Sequence, residues 1–219
     1  MEAKKAFSER LLEWFREYGR SYAWRKTEDP YEIIIAEIML QRTKADQVEP
    51  VYIDFMKKFQ NVRKLNKATE KEVSEFFSRL GLLWRVKLVK RLANELINRY
   101  KGEIPKERDA LLLLPAVGEY IADAILCFAY KKDVAVVDSN VCRIIGRLYN
   151  KKAKGEARRD PQFREAINQL LPPGKAREFN WAMIDFGALI CKPKPQCSKC
   201  PLNLYCCYYL NNEQLQSCR

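Results

Sequence analysis

The chain contains no histidine. That absence removes Ser-His-Asp triads and Cys-His pairs as sources of an activated nucleophile, and it confines any zinc site to cysteine and carboxylate ligands. Long apolar runs are missing as well. No stretch reaches the roughly 18 residues of a membrane span, and the N-terminal MEAKKAFSER has no apolar signal core. Glycine is scarce, eight in 219 residues, and with ten prolines it punctuates segments that otherwise read as helix. No internal repeat and no low-complexity segment occurs. These absences predict a cytoplasmic, all-α protein with no membrane segment.

What is present is positive charge. Forty Lys and Arg against 28 Asp and Glu leave a formal net charge of +12, an excess that points to a polyanion partner. A hydrophobic fraction of 47% fills a core, and the length suits one large domain or two small ones. The eight cysteines, in a compartment that keeps thiols reduced, are expected as thiols or metal ligands rather than disulfides.

Amphipathic periodicity predicts a helix over 6–18. Asp29 followed by Pro30 starts another, which holds the apolar run Ile33 to Leu40 broken only by Glu37. If that helix continues, Glu37 shares a face with Gln41 and Lys44 and lines a polar seam. Further helices are expected over 47–59, over 71–80 behind a Thr69/Glu72 capping box, and over 84–100 as a strongly basic helix. Asn140 to Leu148, a helix after Asp160-Pro161, and Arg177 to Cys191 complete the set. Val134 to Val137 reads as extended, with no sheet to join.

Two stretches carry chemistry. In Leu111–Arg143, a tight hairpin at Pro115-Ala116-Val117-Gly118 joins two helices and offers bare N–H groups at a helix start, a common phosphate site. An apolar run then ends at Asp138, an acid that also suits a plain helix cap. Farther on, Cys191, Cys197, Cys200 and Cys206 form C-x5-C-x2-C-x5-C. Four such thiolates bind an iron–sulfur cluster or a zinc ion, and a single C-x2-C knuckle points to a [4Fe–4S] cluster. Lys192, Lys194 and Lys199 give this loop a basic rim, placed to touch phosphates.

Taken in order, AEIMLQRT, LPAVG, VVDSNVCR and the cysteine loop resemble the helix-hairpin-helix DNA glycosylases of the endonuclease III and adenine-glycosylase superfamily. The likeness covers roughly residues 7–209. It implies a six-helix barrel domain over 22–131 and an iron–sulfur domain built from 1–21 and 132–219, with a DNA-binding cleft between them. The sequence departs from the family pattern twice. Ala116 replaces the first glycine of LPGVG, and the first cysteine gap is five residues where the family has six.

The resemblance also implies roles. Asp138 stabilises the positive charge that builds on the sugar as the base leaves, and Glu37 contacts the departing base. Tyr120 occupies the position of the Schiff-base lysine of bifunctional members and resembles the residue of the mismatch-specific thymine/uracil branch. A phenol forms no imine, so water is expected as the nucleophile. Gln41 and Arg42 fill the gap left by the flipped nucleotide and read its partner, while Leu114, Pro115, Val117, Gly118, Lys192 and Lys194 hold DNA. The expected protein is a monomeric, nucleoid-associated prokaryotic enzyme acting on double-stranded DNA with a mismatched or damaged base. It releases thymine or uracil opposite guanine; alternatives are adenine opposite guanine or 8-oxoguanine, or a non-enzymatic DNA-binding scaffold.

Overall fold

The computed structural model describes residues 2–153 and 155–211, so Cys218 lies outside the described residues. The described chain is helical without strands and divides into two compact units, residues 21–132 and residues 1–20 with 133–219.

The continuous unit is organised around α2 (Pro30–Leu40). Asp29 caps it by accepting from Tyr31 N at 2.8 Å, and Pro30 starts it with its φ preset. Ile33 to Met39 are all buried, Glu37 among them, so α2 is a core helix rather than an amphipathic one. It packs on α3 (Ala45–Lys58) and α8 (Glu119–Phe128). α4 (Val62–Lys67), α5 (Glu70–Arg79) and α6 (Val86–Tyr100) close this core, and α7 (Arg108–Leu112) leads into the hairpin. Edge-on packing of Phe55 against Phe59, Phe76 and Phe77 fills the space between α3 and α5. The Thr69/Glu72 capping box is formed in full.

The basic helix shows a departure from expectation. Two of its cations turn inward. Lys90 Nζ donates to the carbonyls of Leu65, Asn66 and Ala68, ending α4, and Arg85 is buried.

The second unit packs α1 (Glu2–Tyr18) on α11 (Ala176–Leu189), and α11 on α9 (Ser139–Leu148), with α10 (Pro161–Asn168) against α9. Its core gathers Phe7, Leu11, Trp14, Ile145, Phe179 and Phe186. Asp185, with no exposed side-chain surface, accepts from Arg20 N at 2.8 Å, Nε at 2.9 Å and Nη2 at 2.7 Å. Cys127 and Cys142 are buried as small apolar residues, each in its own unit.

Candidate active site and hairpin

The hairpin is a type II β-turn. Val117 N donates to Leu114 O at 3.2 Å, Pro115 takes the position where proline is favoured, and Ala116 has φ +66°. Ala116 therefore stands in left-handed backbone that glycine adopts without cost. Replacing Ala116 by Gly is expected to raise unfolding free energy by roughly 0.5–1 kcal/mol, read from the urea midpoint. Arg108 braces the turn from α7 to α8 by donating to the buried Asp123 at 3.0 Å.

Leu114 and Val117 turn their side chains inward, which leaves the main chain as the group they offer outward. Gly118, the N-cap of α8, is extended at φ −103°, and a Cβ built there meets nothing within 4 Å. Nothing among the described residues demands glycine at this position, so it stays open to close approach from outside. Tyr120 sits half-buried in the first turn of α8.

A second turn of the same type corrects the sequence reading. α2 ends at Leu40, so Gln41 and Arg42 do not continue the helix, and neither Gln41 nor Lys44 shares a helical face with Glu37. Thr43 N donates to Leu40 O at 3.3 Å, Gln41 has φ −66° and ψ 113°, and Arg42 has φ +64°. Arginine in the glycine position of a type II turn is uncommon and carries strain. Glu37 itself is 5% exposed and lies within α2.

In the other unit, the segment 134–137 does find a partner. The buried Asn180 on α11 accepts from Val136 N at 2.9 Å and donates to Val134 O at 2.8 Å, doing for this segment what a neighbouring strand would do. The segment delivers Asp138 to the start of α9. Asp138 Oδ1 accepts from Val141 N at 2.7 Å, and Oδ2 accepts from Asn140 Nδ2 at 2.9 Å. Cap and candidate catalyst are thus one carboxylate.

Asn140 is fixed in turn. Its Oδ1 accepts from Arg143 Nη2 at 2.7 Å, and Arg143 also donates to the carbonyls of Gly187 and Cys191, each at 2.8 Å. A Cβ on Gly187 would lie 2.5 Å from that of Asn140, so glycine permits the close crossing of α9 and α11. Burial pushes the Asp138 carboxyl above its ordinary range, opposed by the hydrogen bonds from Val141 and Asn140 and by the Arg143 charge. A half-buried carboxylate with a locked orientation stabilises a developing cation without reorganising. Asn140, Arg143, Asn180 and Gly187 escaped the sequence reading. Only the Asn and Arg of DSNVCR, two and five residues after the acid, carried a local signal.

The four motif cysteines are half-buried. Burial raises the thiols of Cys197, Cys200 and Cys206, Cys200 to about 12, and Cys191 lies near enough to raise all three further. Cys207 is not among the neighbours that act on them. Among the described residues no group of three or more His, Cys, Asp or Glu is arranged to hold a metal ion. Arg147 ties the loop down, donating to Cys191 Sγ at 3.3 Å, Lys192 O at 2.6 Å and Pro193 O at 2.8 Å. Lys192 is half-buried, and Lys194 is exposed. Among the described residues no helix is long and apolar enough to cross a membrane.

Comparison with known proteins places these features in context. Residues 35–173 match the family model described as the HhH-GPD superfamily base excision DNA repair protein. The chain is 36% identical to the thymine/uracil-DNA glycosylase of Methanothermobacter thermautotrophicus, over 94% of each chain. It is 38% identical to the thymine-DNA glycosylase of Aeropyrum pernix, over 95% of this chain and 96% of that one. A solved structure of a thermostable thymine-DNA glycosylase superposes with a TM-score of 0.91 at 36% identity, covering 96% of this chain and 98% of the other.

Proposed function

Because this chain belongs to the HhH-GPD superfamily of base excision DNA repair proteins, we propose that it is a monofunctional DNA glycosylase that hydrolyses the N-glycosidic bond of thymine or uracil mispaired with guanine in double-stranded DNA. The observation that carries this reading is the Asp138 carboxylate, oriented by Val141 and Asn140 at the head of α9, in a chain alike over nearly its whole length to thymine/uracil-DNA glycosylases.

Breaking the bond builds positive charge on the sugar, and the fixed carboxylate of Asp138 stabilises it and orients the attacking water. Glu37, buried on α2, serves the departing base by hydrogen bonding or proton donation. Tyr120 lines the base pocket and supplies no amine, so the strand is left uncut. Gln41 and Arg42 fill the gap where the flipped nucleotide stood. That offsets a cost which is least for mispaired bases, so the mismatch helps select itself. The hairpin 114–118 grips one phosphate stretch through its backbone, with Lys192 and Lys194 contributing charge.

Cys191, Cys197, Cys200 and Cys206 fit a [4Fe–4S] cluster by donor chemistry: four half-buried thiols, each close to Cys191 or one of its neighbours, and no competing histidine. The cluster, when bound, holds the loop that carries Lys192 and Lys194 in a fixed shape.

The test uses duplexes bearing single T·G, U·G, A·G or A·8-oxoguanine pairs, each reaction split for treatment with and without alkali. Strand breaks at thymine or uracil opposite guanine, seen only after alkali, are expected. Release of adenine instead overturns the substrate, and breaks without alkali overturn the monofunctional assignment.

A further inference from the structure

We propose that Arg85 sets the opposite-base specificity of this site by fixing which end of the Gln41 amide faces the base left unpaired. The inference rests on the glycosylase reading above and adds a residue that neither catalyses nor touches the reacting nucleotide.

Arg85 closes a short 3₁₀ turn (Leu83–Arg85) and caps α6. It is 6% exposed, and its guanidinium stacks 4.1 Å from the indole of Trp84, itself 56% exposed. Among the described residues no carboxylate pairs with it, and its buried Nε has no acceptor. Its charged neighbour is another cation, Arg42, and burial together with that charge pulls its pKa down. A buried cation with no counter-ion is costly, and a side chain kept only to fill space would be apolar. Among the described residues the one acceptor it holds is Gln41 Oε1, to which Nη2 donates.

That bond has an unambiguous polarity. A guanidinium has five donors and no acceptor, so the atom of Gln41 that faces it is the oxygen. Gln41 occupies the second position of the Leu40–Thr43 turn, is half-exposed, and makes no other side-chain hydrogen bond among the described residues. With its oxygen engaged, what remains to offer is the NH2 group, a donor only. Guanine presents an oxygen acceptor at C6, whereas adenine presents an amino donor there. A Gln41 free to flip would serve either. Held by Arg85, it serves a base that carries O6.

The experiment measures single-turnover release of uracil opposite guanine, hypoxanthine or 2-aminopurine, the last lacking O6. Comparing the hypoxanthine-to-2-aminopurine rate ratio between proteins cancels differences in pair stability. Arg85→Leu is expected to shrink that ratio roughly fivefold to tenfold, the worth of one hydrogen bond. Arg85→Lys, still a pure donor, keeps most of it. Gln41→Leu shrinks it equally, and adding Arg85→Leu to Gln41→Leu changes it no further. Should the leucine variant not fold, Arg85→Gln replaces it: an amide there faces Gln41 with either atom, and the ratio is again expected to fall. An Arg85→Leu variant that slows release opposite every base by one common factor assigns Arg85 a purely structural part and overturns the proposal. A wild-type protein that releases nothing opposite guanine overturns the glycosylase reading itself, which an unchanged ratio in an active enzyme does not.

Discussion

Asp138→Asn is expected to lower uracil release from a U·G duplex by at least about 10³-fold, measured under single-turnover conditions, while the duplex is still bound. The variant isolates charge from architecture. Asparagine is as good a helix cap as aspartate, so α9 keeps its start. The side chain nevertheless cannot serve both present donors, because Asn140 Nδ2 and Val141 N each need an oxygen. One hydrogen bond is lost, about 1 kcal/mol, which the fold tolerates. The same assignment fixes a pH dependence. Burial raises the carboxyl, so as pH falls Asp138 takes up its proton earlier than an ordinary aspartate near 3.9. The wild-type rate is therefore expected to decline on the acid side with a midpoint above that value. Unchanged release in the Asn variant, or an acid limb at or below the ordinary value, would remove Asp138 from the chemistry.

The largest stability effect is expected at Arg20. Arg20→Ala deletes the hydrogen bonds that the Arg20 guanidinium donates to Asp185 and takes its charge away from a carboxylate with no exposed surface. Breaking one side of such a pair costs about 3 kcal/mol or more, and urea unfolding measures it. Pairing Arg20→Met with Asp185→Asn should recover part of the loss, since the buried charge then disappears. A change below about 1 kcal/mol in the single variant would mean that water reaches Asp185 and that the pair contributes little.

These two predictions draw on features of different legibility. Asp138 was readable because an apolar run stopped at an acid and a helical period began straight after it, all within a few residues. The Thr69/Glu72 box and Asp29-Pro30 were readable for the same local reason. The end of α2 was not. Gln41 to Lys44 contains no glycine or proline, and the left-handed Arg42 is imposed by the surrounding structure against local preference. Arg85 and Lys90 look like solvated charge on a basic helix, and only tertiary packing turns them inward. Asn180 lies far along the chain from the segment it clasps, so no local pattern announces that the missing strand partner is a side chain. Ala116 was visible as an anomaly, and its positive φ explains it as tolerated strain.

The division of the chain into 21–132 and the two flanking pieces also sets an order of assembly. As synthesis proceeds from the N-terminus, the hairpin unit is complete in sequence once Lys132 has emerged, whereas α1 waits with Phe7, Leu11 and Trp14 unburied until α11 arrives. Arg20 and Asp185 meet only at that late closure. The hairpin is therefore available before the acid has a helix to cap, and an unfinished chain holds the 114–118 turn but no seated Asp138 carboxylate.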